Sequence, residues 1–168
     1  MVFFQFFPKS FRIPEHLQEL TSVFEINEAK ISSSTYKLNS DGVLNVLKKD
    51  LEKMGFIVET SKTAKGKINV PVLFGRNGSI EKSFDADAWH KNNRTVLEVE
   101  AGRAVTNYQF LKDLFQACMM NEIDYLALAI RFDYRGNPDF EKVVTFFETL
   151  YVSGRLSLPL RGVLVIGY

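Results

Sequence analysis

Four carboxylates in the stretch FDADAWHKNNRTVLEVEAG, residues 84–102, stand at two-residue spacing: Asp85 with Asp87, then Glu98 with Glu100. Side chains on an extended strand alternate faces, so each pair shares one face. The intervening HKNNR reads as a turn, and strands paired through it bring Asp87 close to Glu98. Carboxylates gathered on a sheet repel one another and resist desolvation, and a cation is the natural compensation. Mg²⁺ suits such a set, since it takes hard oxygen ligands and keeps part of its water; Mn²⁺ can stand in for it. Glu98 lies between Leu97 and Val99 in a segment that is otherwise apolar. A competing reading leaves all four carboxylates in water on the outer face of a hairpin. Two features count against it. Like charges facing each other across strands weaken the pairing, and the strands lead directly into a helical segment with Gly102 at its start.

Other chemistries find little support. Cys118 is the single cysteine, which excludes an internal disulfide framework and any multi-cysteine metal site. It falls in the apolar stretch FLKDLFQACMM, where a buried, inert thiol is expected. With only His16 and His90, a histidine-rich zinc site is also excluded. The lone thiol fits a reducing, cytoplasmic compartment. Formal net charge is +1, so any nucleic-acid contact must come from basic groups concentrated on one face. Lys62, Lys65, Lys67, Arg76 and Lys82 occupy the two loop regions before the acidic segment, and Arg103 follows it. These are candidate phosphate contacts, with Arg103 the best placed. The lysines read equally well as a solvated loop.

The elements that must position the carboxylates follow from periodicity. Residues 168 in number can bury one good core, and no linker or repeat divides them, so a single domain over 1–168 is expected. MVFFQFFP is too short to span a membrane and breaks at Pro8; it is expected as a buried first strand or a dimer contact. A helix is expected over 12–20, with Pro14 as its first residue. Another runs from Ser40 or Asp41 to Gly55, with Val43, Val46, Leu47, Leu51 and Met54 on its apolar face. Short strands are expected at Phe56–Thr60 and Pro71–Phe74, the second ending in the turn GRNG. One continuous strand is expected over Lys82–Lys91, then another over Thr95–Glu100. A helix over Val105–Met120 would turn Tyr108, Leu111, Leu114, Phe115 and Cys118 to one side. YLALAIR, unbroken in its apolar character, suits a central strand buried on both faces. A helix over Pro138–Val152 and a buried strand over Gly162–Tyr168 complete the chain. The fold class is α/β, with a mixed central sheet flanked by helices.

The spacing Asp87, ten residues, then Glu98-Val99-Glu100 resembles the PD-(D/E)xK nuclease superfamily. The helix ending in MGF, the helix AGRAVTNYQFLKDLF and the strand YLALAI match that family's core order, and the resemblance spans roughly Asp41 to Arg131. Glu100 stands where the motif usually has lysine, a departure that is similar to restriction endonucleases of the BamHI and BglII type. The resemblance implies a restriction-endonuclease-like core in which Asp87 and Glu98 ligate metal, with the carbonyl of Val99 as a further oxygen. It implies that Glu100 orients or deprotonates the attacking water. Asp85 is the alternative for the Asp87 role. On the first core helix, Asn45, then Asp50 and Glu52, are candidates for an accessory acidic or amide group.

The expected function is Mg²⁺-dependent hydrolysis of phosphodiester bonds in double-stranded DNA, with a homodimer supplying two active sites. Arg103, Lys65 and Lys67 are the expected nucleic-acid contacts. The alternative is a catalytically degenerate nuclease-fold protein that binds nucleic acid or a protein partner.

Overall fold

The computed structural model describes residues 1–168. The element order is β1 (Phe3–Phe7), α1 (Glu15–Ile31), α2 (Ser40–Lys53), β2 (Ile57–Val58), β3 (Ile68–Phe74), β4 (Ile80–Ala86), β5 (Ala88–His90), β6 (Thr95–Glu100), α3 (Gln109–Met119), β7 (Tyr125–Ile130), α4 (Asp139–Ser153) and β8 (Gly162–Gly167). Six strands form one mixed sheet in the order β1-β8-β7-β6-β5-β2, and β3 pairs with β4 in a separate antiparallel hairpin. Strands β6, β7 and β8 run parallel, joined by crossovers through α3 and α4. As its apolar run requires, β7 is central. The greasy N-terminal segment adds antiparallel to β8 as an edge strand.

Strand alternation sorts the sheet into two cores. Leu97 and Val99 of β6, Ala127 and Ala129 of β7, and Leu164 and Ile166 of β8 pack against α1 and α2. Val96, Leu126, Leu128, Val163 and Val165 turn the other way, toward α3 and α4. Glu98 and Glu100, in phase with Val96, therefore face the α3 side. Burying Leu97 completely, at about 1.5–3 kcal/mol for a side chain of that size, ties this alternation to the register.

Local chemistry explains most helix boundaries. The Asn39 side chain caps α2 by accepting the Gly42 N–H at 2.8 Å. Val43, Leu44, Leu47 and Leu51 then recur on its buried face. The chain leaves α2 through Gly55 at φ 97°, where a side chain would be strained. No helix is long and apolar enough to cross a membrane.

Five expectations are corrected. Helix α1 extends to Ile31, well beyond 12–20, because Leu20, Val23, Phe24, Asn27 and Ile31 continue its buried face; Pro14 flanks it rather than starting it. Strand β2 is confined to Ile57–Val58 by its short partner β5. Strand β3 begins at Ile68, since Ile68 and Val70 are buried ahead of Pro71. The continuous strand over 82–91 is in fact two, broken at Asp87: β4 pairs with β3, and β5 with β6. Helix α3 starts after Tyr108, which has φ 52°, and not at Val105. Its buried stripe is Phe110, Asp113, Leu114 and Ala117, leaving Tyr108 and Phe115 exposed.

Candidate metal centre

The break at Asp87 creates the cleft. Residues before it belong to the β3–β4 hairpin and residues after it to the main sheet, so the two sheets diverge from this residue. Ala88 pairs with Leu97, which sets Asp87 opposite Glu98. The Asp87 Oδ2 accepts the backbone N–H of Val99 at 2.8 Å, and its carbonyl accepts the N–H of Glu59 at 2.8 Å. In an extended strand the N–H and C=O of one residue point to the same edge, so the Val99 carbonyl turns toward Asp87 as well.

The resulting cavity of about 580 Å³ is lined by Glu59, Lys62, Asp87, Glu98, Glu100 and Asp113, among others. Desolvation raises the Asp87 carboxyl above its ordinary pKa, against the pull of the Val99 N–H and Lys62. Desolvation and the Asp87 charge push Glu98 well up. Desolvation and Asp113 do the same to Glu100. Asp113 rises through desolvation too, with Lys112 opposing. Four carboxyls forced upward in one cleft form a site short of positive charge.

Lys62 is the cation that partly supplies it. From the loop after β2 its Nζ lies 2.7 Å from Glu59, 3.2 Å from Asp41 and 3.8 Å from Asp87. Partial burial acts to lower the Lys62 pKa, but the Glu59 hydrogen bond and the Asp87 charge outweigh it and hold the ammonium firmly protonated.

The expected residues separate into two groups. Asp87, Glu98 and Glu100 line the cleft together. Asp85 stands at its mouth, 45 % exposed and paired with Lys67, so it does not share the buried position of Asp87. The kink between β4 and β5 is the reason, since it ends the strand alternation that put both aspartates on one face. Asn45 opens onto a separate small cavity with Asp41 and Glu59. Asp50 is engaged with Asn27 and Lys53, and Glu52 with Lys48. Lys67 lines the cleft and Lys65 is exposed in its loop. Arg103 is exposed and borders an adjoining cavity of about 480 Å³ that shares Ser40, Lys62 and Glu100 with the cleft. Trp89 is half-buried, with Lys91 over its ring at 4.8 Å. Cys118 is half-buried, and burial raises its thiol, in keeping with an inert role.

Two members of the cleft were not anticipated. Asp113 comes from α3 and Glu59 from the end of β2; their side chains are 4 % and 5 % exposed. Asp113 had a signal in the sequence, as an acid between Phe110 and Leu114 on a stripe that must pack on the sheet. Glu59 had none beyond its place after two strand residues.

No group of three or more His, Cys, Asp or Glu side chains is arranged around one point to hold an ion. The donor chemistry nonetheless fits a hard divalent cation that keeps much of its water: two half-buried carboxylates, Asp87 and Glu98, beside a backbone carbonyl at the same edge.

No protein-family model and no curated protein matches the sequence. Among solved structures, the crystal structure of free BglII is similar, with a TM-score of 0.52 at 10% sequence identity, covering 99% of this chain and 78% of that one. The fold is restriction-endonuclease-like, a mixed sheet flanked by helices.

Proposed function

We propose that this chain is a divalent-metal-dependent endonuclease that hydrolyses phosphodiester bonds in double-stranded DNA. The observation that carries the reading is the convergence of Asp87 and Glu98 in a cleft where burial raises both carboxyls and the Asp87 charge adds to the rise at Glu98. The fold likeness to BglII, a restriction endonuclease, supports it.

In this reading Asp87 and Glu98 hold the metal, and the Val99 N–H fixes the Asp87 carboxylate in place. A cation bound there supplies an activated water and neutralises charge developing on the phosphoryl oxygens. Glu100 orients the water and accepts its proton. Burial and Asp113 push the Glu100 carboxyl up to about 8, and in its ionised form such a carboxylate is a stronger base than an ordinary glutamate. Lys62 and Arg103, at the cleft and the adjoining cavity, contact the flanking phosphates, with Lys65 and Lys67 on the approach. Two copies of the chain would cut the two strands.

A second reading has its own observation. Lys62 already compensates Glu59 and lies near Asp87, and an internal ammonium of this kind suits a scaffold that binds nucleic acid without cutting it.

The test is Mg²⁺ or Mn²⁺ titration by calorimetry on wild type and on Asp87→Ala/Glu98→Ala, with nicking of supercoiled plasmid alongside. Binding and nicking that vanish together in the variant are the expected result. Metal binding without nicking of any nucleic acid favours the second reading, and absence of metal binding overturns the first.

A further inference from the structure

The outer end of the β3–β4 hairpin is apolar and uncovered. Its base is fixed: Ile68, Val70 and Ala86 are buried in the core on the α3 side, and the Asn121 N–H donates to the Pro71 carbonyl at 2.7 Å. Val72 is the last residue of β3 packed on that core, and beyond it the hairpin hydrogen-bonds only to itself. A two-stranded ribbon is marginal in water on its own, so large apolar groups at its end call for a partner. Leu73, Phe74 and Ile80 stand there 57%, 51% and 58% exposed.

Strand geometry and charge identify that partner. Cross-strand neighbours share a face, and successive residues of one strand do not. Leu73 pairs with Lys82 and Phe74 with Ile80, with register irregularities on either side of Leu73. Apolar side chains therefore cover both faces of the tip. A partner docked flat would cover one face and leave the other in water. Two apolar surfaces with a gap between them cover both, and a parted base step is such a pair. Lys67 is tied to Asp85 nearer the base, but Arg76 in the turn and Lys82 have no acidic partner, Lys82 lying over the Phe84 ring at 5.3 Å. The carboxylate of Glu81, the one acid between them, lies against Gly75. Two copies meeting tip to tip would oppose these cations, whereas phosphates complement them.

We infer that the hairpin tip is a wedge for duplex DNA: Leu73, Phe74 and Ile80 enter a base step from the groove while Arg76 and Lys82 hold the flanking phosphates. The inference rests on the duplex-DNA reading of the cleft and deepens it. Lys82, Ser83 and Phe84 line the cleft beside the carboxylates, so the tip begins where the cleft wall ends. No hairpin residue borders the cavity of Arg103, so a duplex resting on that arginine and lying across the cleft meets the hairpin at the other side. Parting a step kinks the duplex, and pyrimidine–purine steps part most easily. The wedge thus selects among sequences by their deformability, without a hydrogen bond to any base edge.

The experiment uses the whole protein in chelator, so that nothing is cut, and two duplexes of one mixed sequence. One is fully paired; the other has a short central mismatch flanked by 2-aminopurine. Anisotropy gives the two affinities, and 2-aminopurine fluorescence reports unstacking. Wild type is expected to prefer the mismatched duplex about tenfold, because part of the unstacking is already done, and to brighten the reporter. Phe74→Ser/Ile80→Ser should bind the two duplexes equally and leave the reporter dark, with Leu73→Ser to the same effect should the double variant fold poorly. Phe74→Leu/Ile80→Val should keep the preference, and Arg76→Ala should weaken both duplexes alike. Equal affinities and a dark reporter in wild type overturn this inference and leave the nuclease reading intact, since the cleft still binds duplex. So does a preference that survives in the serine variants, or serine variants that weaken both duplexes alike and keep their ratio. Self-association of wild type in sedimentation, lost in the serine variants while the duplex preference stays, assigns the tip to a second copy and overturns the wedge. No binding to either duplex overturns both readings.

Discussion

The backbone N–H of Val99 donates to the Asp87 carboxylate at 2.8 Å, fastening the residue where β4 gives way to β5 to the C-terminal half of β6. The same carboxylate therefore has a structural partner and a proposed metal. Asn keeps an acceptor for the Val99 N–H, whereas Ala does not. Asp87→Asn is expected to retain the fold, melting in chelator no lower than wild type. It should weaken Mg²⁺ binding by at least the roughly 10- to 100-fold that even outer partners of a metal site are worth. Asp87→Ala should lose both. Thermal melting and calorimetry on the two variants separate the roles; equal metal affinity in Asp87→Asn would remove Asp87 from the ligand set.

The pH dependence follows from the raised carboxyls. Desolvation lifts Asp87, Glu98, Glu100 and Asp113 above their ordinary values, so the folded metal-free protein keeps protons that the unfolded chain has released. Stability is then greatest at and below the ordinary carboxylate range. It falls as pH rises through the raised values, by about 1.4 kcal/mol per pH unit for each proton retained. Saturating Mg²⁺ should flatten the slope, because ligand carboxylates must be ionised to bind it. Melting curves from weakly acidic to weakly alkaline pH, with chelator and with Mg²⁺, check this. A metal-free melting temperature that holds steady or climbs over that range would contradict the electrostatic account.

How much of this was legible in the sequence depended on the range of the interaction. The central strand Tyr125–Ile130 was plain because an apolar run of that length has few other places to go. The α2 helix was plain because Val43, Leu47 and Leu51 repeat at helical spacing. The pairing of Asp87 with Glu98 was also readable, since the turn between them sets the register locally. The break at Asp87 was not, because alternation continues through Phe84–Trp89 and only the tertiary divergence of two sheets ends it. Asp113 and Glu59 were missed for a related reason. Each joins the cleft from an element whose distance along the chain does not give the contact, and the phase of α3 is set by packing on the sheet.

Lys62 offers a sharper test of the metal-free state. It is the only ammonium within 4.0 Å of Asp87, and it also holds the buried Glu59. Lys62→Met is expected to lower the melting temperature in chelator, since Glu59 and Asp87 lose their nearest positive charge. It should also tighten Mg²⁺ binding several-fold, on the order of 1 kcal/mol after solvent screening of an exposed lysine. Weaker Mg²⁺ binding in Lys62→Met would mean that the lysine supports the ion rather than competing with it.

Gly102 is fixed by two constraints. Its φ is 123°, a region closed to most side chains, and a Cβ there would overlap the Tyr134 ring. Gly102→Ala should therefore cost more than the roughly 1 kcal/mol of an ordinary glycine replacement. It should also displace the segment that carries Arg103, so phosphate binding is expected to fall with stability. Chemical denaturation with a DNA-binding titration reads both, and a neutral result would show that the Tyr134 ring gives way.

Arg103 provides the test of what approaches the cleft. It is exposed, forms no ion pair, and borders the cavity that shares Lys62 and Glu100 with the carboxylate cleft. Lys67, by contrast, is held by Asp85. An arginine free of any carboxylate releases counterions from DNA without first breaking a salt bridge, so its contribution should appear almost entirely in the salt dependence. Arg103→Ala is expected to weaken duplex binding about equally for unrelated sequences and to reduce the slope of log K against log salt by about 1. Lys67→Ala should change the slope less, because loss of the lysine also frees Asp85 to repel phosphate. Binding should be measured in chelator, so that cleavage does not distort the titration. If Arg103→Ala leaves the slope unchanged while Lys67→Ala reduces it, the duplex enters from the β3–β4 hairpin side of the cleft and not over the start of α3.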